Sequence, residues 1–162
     1  MMEIKASNKL LNIIFAIIAT VILILDQLTK YIINHLPQSV FPVEVIPNFF
    51  NIIRITNTGA AFGLFQNRTK IFIIISIIAI ILIIVLKIKM NLKIVLYNIG
   101  LGFVLGGAVG NLVDRLFFKG EVTDFLHVVF FAVFNVADSF IVIGFGIIIL
   151  VIIKFFLKKG AV

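Results

Sequence analysis

Four long apolar runs decide what this chain can become. They cover residues 10–25, 71–86, 94–113 and 125–157. The first is broken only by Asn12 and Thr20, and the second holds one polar residue, Ser76, between Lys70 and Lys87. The third is rich in glycine and contains Asn98 and Asn111. A helix crossing the hydrocarbon core of a bilayer needs about 20 residues. With their flanks the runs predict spans at about 10–33, 69–88, 94–116 and 135–156. The fourth run exceeds one span and leaves 121–134 outside it.

Composition excludes the main alternatives. The 162 residues are 62% apolar and 13% charged, against roughly 45–50% and about 25% in soluble domains. A soluble globular protein and a disordered one are both ruled out, and the length suits a single domain, 1–162. Cysteine is absent, so there is no disulfide framework, thiolate metal site or cysteine nucleophile. Two histidines, His35 and His127, and no H-E-x-x-H argue against a zinc protease. The first run has a basic start, Lys5 and Lys9, like a signal peptide. No small-residue cleavage site follows it; the chain continues Asp26-Gln27-Leu28-Thr29-Lys30, so an uncleaved first span is expected.

Lys and Arg set orientation. With the N-terminus inside, four spans return the C-terminus inside. The inner side then collects Lys5, Lys9, Lys87, Lys89, Lys93, Lys154, Lys158 and Lys159, with Glu3 as its one acid. The other six carboxylates, Asp26, Glu44, Asp114, Glu121, Asp124 and Asp138, fall on or near the outer side. The charge of +7 therefore reads as orientation, not as a nucleic-acid surface. Between the first two spans, Pro37, Pro42 and Pro47 punctuate two short strand-like pieces, 43–46 and 49–55. Asn57-Thr58-Gly59 is a turn signal. An isolated small sheet is marginal in water, so this one should lie on the membrane surface. Gly102, Gly106 and Gly110 recur every four residues, a spacing that lets helix backbones approach closely. Gly144 and Gly146 are expected to serve the same contact.

Ionisable groups at membrane depth are costly and mark functional sites. Asp26 has Lys30 one helical turn on and can pair with it. Asp114 has Arg115 beside it, and Glu121 has Lys119 nearby. Asp124 and Asp138 have no cation close in sequence. Two such carboxylates brought together cannot both ionise, so one keeps a proton. One can then take a proton from water while the other donates to a carbonyl oxygen, which is what amide hydrolysis without a covalent intermediate requires. The competing reading is that each Asp caps a helix or binds backbone amides. A straight helix from 124 to 138 would hold the two about 21 Å apart. A pair therefore needs the chain to turn back, and no Gly or Pro marks that turn. Ser139 lacks a neighbouring His or Lys, and His127 reads as packing.

Read together, five motifs are specific. They are Asp26-Gln27-Leu28-Thr29-Lys30, Asn57-Thr58-Gly59-Ala60-Ala61-Phe62-Gly63, Gly110-Asn111-Leu112-Val113-Asp114-Arg115, Glu121-Val122-Thr123-Asp124-Phe125 and Phe134-Asn135-Val136-Ala137-Asp138-Ser139. Their order closely resembles the lipoprotein signal peptidase (signal peptidase II) family over nearly the whole chain. The resemblance implies an all-α membrane protein of four transmembrane helices with a small outer-face β-sheet between helices 1 and 2, at about 38–66. It implies a bacterial inner-membrane aspartic endopeptidase with both termini cytoplasmic and its site near the outer face. Its substrates would be diacylglyceryl-modified prolipoproteins, cut before the lipidated cysteine, with membrane lipids around them and no metal or organic cofactor. Sensitivity to globomycin is implied, and a monomer is expected.

By motif, the resemblance places the catalytic pair on Asp124 and Asp138. Asn57, Gly59, Asn111, Asp114, Arg115, Asn135 and Ala137 become substrate-binding or supporting, as do Asp26 and Lys30. Arg115 would hold a substrate carbonyl, and the outer loop around 40–66 would clamp the substrate. Thr123 departs from the Val usual in the family, and the stretch between the two Asp is shorter than the family's. A small proton- or cation-coupled transporter is the alternative from another class; it would place its acids near the bilayer midplane. A non-catalytic assembly subunit would not need the two uncompensated Asp.

Overall fold

The computed structural model describes residues 7–59 and 65–160, with the side chains of 158–160 left out. Glu3, Lys5 and the Ala60–Gly63 part of the second motif lie outside the described residues, as do the side chains of Lys158 and Lys159. Four helices are long and apolar enough to cross a membrane. They are α1 (Asn8–His35), α2 (Thr69–Met90), α3 (Val95–Phe117) and α4 (Val136–Gly160). Ser7 caps α1, its Oγ accepting from the Leu10 N–H at 3.2 Å. Asn91, left-handed at φ 36°, ends α2.

Helix α3 is the hub. Its most apolar stretch is 61% buried, against 17% or less in each of the other three helices. The difference follows from its glycines. A methyl group built onto Gly106 would lie 2.6 Å from the Ala19 carbonyl oxygen in α1, and one on Gly107 would lie 2.5 Å from that of Ala137 in α4. The three backbones therefore touch through missing side chains. Gly144 makes the same contact from the other side, 2.7 Å from the Gly100 carbonyl oxygen, whereas Gly146 has nothing within 4 Å and takes no part. Tyr97, Leu101 and Val104 of α3 pack with Ile83, Ile148 and Val151 in the main apolar cluster. Ile83 is the one buried residue of α2. Lys87 donates to Asn98 Oδ1 at 2.6 Å, and Asn98 Nδ2 donates to the Ile94 carbonyl at 2.8 Å, closing the short α2–α3 connection.

The sheet is antiparallel, in the order β1-β2-β3. Strands β1 (Val43–Ile46) and β2 (Phe50–Asn57) come from the segment between α1 and α2. The third strand, β3 (Val122–Val128), comes from between α3 and α4 and carries Asp124. The chain turns back after β3. Phe134 pairs with Leu126, and Phe130 at the tip is fully exposed with a left-handed φ of 70°. A phenylalanine occupies the backbone conformation that a glycine would have advertised, so the reversal leaves no turn residue in the sequence.

Because the methyl positions on Gly106 and Gly107 meet backbone atoms, side chains cannot move aside to admit them. Gly106→Ala and Gly107→Ala are each expected to lower stability by about 1–3 kcal/mol. Gly146→Ala is expected to change it by less than about 0.5 kcal/mol. Thermal unfolding in detergent compares the three.

Candidate active site

Asp124 and Asp138 reach a shared cavity from different elements, one from strand β3 and one from the first turn of α4. Asn135 precedes that helix. Its Oδ1 accepts from the Asp138 N–H at 2.9 Å, and Asp138 Oδ2 accepts from the Asn135 N–H at 3.3 Å. These are the reciprocal bonds of a capping box. The helix-capping reading therefore holds for Asp138, which is also open to the cavity. It does not hold for Asp124, whose partners are side chains.

Asparagines grip both acids. Asn57 Nδ2 donates to Asp124 Oδ2 at 2.9 Å and Asn135 Nδ2 to Asp124 Oδ1 at 2.7 Å. Asn111 Nδ2 donates to Asp138 Oδ1 at 2.7 Å. Asn57 is itself fixed, because its Oδ1 accepts from the Gly59 N–H at 2.9 Å. Burial pushes the Asp124 carboxyl up to about 6. Asp138 adds to the rise, while the bonds from Asn57 and Asn135 and the charge of Lys30 oppose it.

A second layer of charge stands behind this one, away from the cavity. Lys30 is 3% exposed. Its ammonium donates to Asp26 Oδ2 at 2.7 Å and to Asn111 Oδ1 at 3.0 Å. It also ion-pairs with Asp114 Oδ2 at 2.9 Å. An ammonium has no acceptor, so Asn111 must turn its oxygen to Lys30 and its NH₂ to Asp138. Asp26 Oδ1 accepts from the Ala137 N–H at 2.9 Å, one of the amides that the start of α4 leaves without a helical partner. Gly110 makes room for Asp26, since a methyl group there would lie 2.5 Å from Asp26 Oδ2.

The expected site residues thus fall into two groups. Asn57, Gly59, Asn111, Arg115, Asp124 and Asp138 line the cavity; Asp26, Lys30, Asp114, Asn135 and Ala137 hold them from behind. One pairing is corrected. Asp114 pairs with Lys30, not with its neighbour Arg115, because adjacent helix residues do not face each other. Arg115 instead donates to the Asn111 carbonyl at 3.2 Å and lies over the Phe72 ring at 5.4 Å, on the cavity wall. The Ser139 hydroxyl donates to the Asn135 carbonyl at 2.9 Å, with no base beside it. Gln27 is a supporting residue the sequence reading passed over. Its amide donates to Asp114 Oδ1 at 2.8 Å and to Asp26 Oδ2 at 3.2 Å. Its place inside the first motif was the available signal.

The cavity measures about 640 Å³, and apolar side chains make up most of its wall. Phe72 of α2 and Ile141 and Val142 of α4 contribute from the long helices, and Phe131–Phe134 from the segment between β3 and α4. A buried carboxylate, a half-buried one, two asparagine amides and a guanidinium line a mostly apolar chamber. That combination suits acid–base attack on a polar bond within an apolar substrate.

Comparison with known proteins gives the family. The signal peptidase II (SPase II) family matches residues 18–154. A lipoprotein signal peptidase of Caldanaerobacter subterraneus subsp. tengcongensis is 44% identical over 79% of this chain and 88% of its own. One from Brevibacillus brevis is 42% identical over 84% of this chain and 92% of its own. A solved bacterial membrane enzyme superposes with a TM-score of 0.80 at 36% identity, covering 86% of this chain and 87% of that one. The matched residues reach into all four helices and include each polar cluster described above, and the chain belongs to the signal peptidase II family.

Proposed function

We propose that this protein is a bacterial multi-pass membrane peptidase that removes signal peptides from prolipoproteins by aspartic chemistry, with Asp124 and Asp138 as its catalytic pair. The observation that carries the reading is the convergence of those two acids, remote in any straight helix, on one cavity between four asparagine-donated bonds. Whole-chain similarity to lipoprotein signal peptidases supports the substrate class. The substrate is a diacylglyceryl-modified prolipoprotein, cut before the lipidated cysteine, and residues 1–162 act as one peptidase domain. The transporter alternative finds no support in the family or in the site. Both termini face the cytoplasm and the site faces the outer side, in keeping with the distribution of Lys and Arg.

In the mechanism, a water lies between the two acids. Asp138 acts as the base that takes its proton. Asn111 and the start of α4 surround that carboxylate with donors. Asp124, pushed up by burial, carries the shared proton and donates it to the scissile carbonyl oxygen. A tetrahedral diol forms. Its collapse breaks the C–N bond; the amine leaves with the proton held by Asp138, and Asp124 regains its own from the diol. Arg115 and Asn57, both on the cavity wall, hold the peptide backbone as donors.

Cleavage of a lipidated prolipoprotein by the purified chain in detergent tests this. Asp124→Asn and Asp138→Asn should each lower turnover by at least 10²–10⁴-fold in folded protein, while Asp114→Asn keeps measurable turnover. A dead Asp114→Asn beside an active Asp124→Asn would move the pair to Asp114 and Asp138.

The pH dependence has a defined sign. The pair works with one proton, so turnover should fall on the alkaline side as that proton is lost, with a midpoint near the value of about 6 set for Asp124. The apparent value belongs to the coupled pair. Asn57→Ala removes a bond that favours ionised Asp124, so its alkaline limb should move to higher pH in the rate profile.

A further inference from the structure

Strand β2 carries one residue more than β3 over the same stretch: Ile52 pairs with Leu126, and Ile55 with Asp124. Such a bulge re-aims a side chain. The extra length falls at Ile53 and Arg54, and the Arg54 guanidinium leaves the sheet for the end of α1. Its Nη1 lies 2.8 Å from the Leu36 carbonyl oxygen, 3.2 Å from that of Asn34 and 3.3 Å from that of Ile33. Its Nε donates to Gln38 Oε1 at 3.0 Å, and its flat face stands 5.5 Å from the centre of the Phe41 ring. The last carbonyls of a helix lack helical donors and form the negative end of its dipole. A cation from the sheet thus caps the helix and fastens the sheet to it. A second tie lies nearby, where Asn34 Nδ2 donates to Thr123 Oγ1 at 2.9 Å. Thr123 is the residue before Asp124.

We propose that these two ties clamp the sheet to the end of α1 and make Arg54 and Asn34 positioning residues for Asp124. The proposal rests on reading Asp124 and Asp138 as the catalytic pair. Asp138 is placed by the start of a spanning helix. Asp124 rides on the sheet, with one bond from Asn135 at the start of α4, and a sheet of three short strands has little stiffness of its own. The distance between the two carboxylates therefore depends on where α1 holds the sheet. Asn57, which donates to Asp124, sits three residues beyond Arg54 on the same strand. A shift of β2 withdraws that donor as it displaces the acid.

Four elements face Asp124. Asp138 comes from α4, Lys30 from α1 and Arg115 from α3, while β2 supplies the uncharged Asn57. Of the donors among them, Asn57 is the one that rides on the clamped strand. Arg54→Met and Thr123→Val, each removing one tie, are to be compared with the wild type on the same lipidated substrate by kcat, KM and pH–rate profile. Arg54→Met is expected to lower kcat per folded molecule about ten- to hundred-fold, as for a misplacement on the order of 1 Å. Its alkaline limb should move to higher pH, as in Asn57→Ala. Thr123→Val should shift both in the same direction by less. Folded variants with wild-type kcat and an unmoved profile would overturn the clamp, whatever their melting temperatures. If Arg54→Met does not fold, the profile of Thr123→Val decides by the same criterion. A wild type that cleaves nothing would instead sink the functional reading on which the clamp rests.

Discussion

A single buried ammonium holds the site together. Lys30 is almost wholly buried, and its three neighbours, Asp26, Asp114 and Asn111, come from α1 and α3. Through Asp26 the contact extends to the first turn of α4, and through Asn111 it extends to Asp138. Taking a lysine and two carboxylates out of water costs several kcal/mol per ion, and the mutual attraction offsets that only when every group is paired and hydrogen-bonded. The packing supplies that condition. Gly110 brings Asp26 close, Gln27 spans both acids, and α3 offers no side chain that would push α1 away. The glycines that bring helices together and the charges that need them together are parts of one arrangement.

From that arrangement the polarity of the site follows. An amide has one acceptor end and one donor end, and a donor-only cation fixes which way it points. Lys30 fixes Asn111, and the Asp138 N–H fixes Asn135. Each asparagine then offers NH₂ hydrogens to a carboxylate. The acids are held by neutral donors, with the cation one residue further back. A cation in direct contact would favour two ionised carboxylates. Neutral amides leave the pair free to share a proton, which the proposed chemistry requires.

How much of this the sequence disclosed depended on whether a signal was local. The four spans, the Asp26–Lys30 pair and the two outer strands were legible because hydropathy runs, i,i+4 spacing and prolines are local patterns. Asp124 and Asp138 stood out because neither had a cation nearby in the chain. Their meeting was not legible. It depends on a strand that pairs with β2 from far away in sequence, and on a reversal at Phe130, a residue that announces no turn. The partner of Asp114 was misread for the same reason. Its neighbour in the chain was visible, whereas its neighbour in space lies more than eighty residues away on α1. The placing of Arg54 depends on a one-residue mismatch between two strands, which exists only once they pair.

The capping box at Asn135 has one more consequence. Its hydrogen bonds begin α4, and the same two residues hold Asp124 and supply Asp138, the acids of the proposed pair. Many enzymes keep strained, poorly satisfied groups at the reacting centre, so that improving activity erodes stability. Here the two demands coincide. A change at Asn135 that frays the helix also disorganises the site, and one that strengthens the cap tightens it. Selection for a durable protein and selection for a working one act on this position in the same direction, which leaves it little freedom to drift.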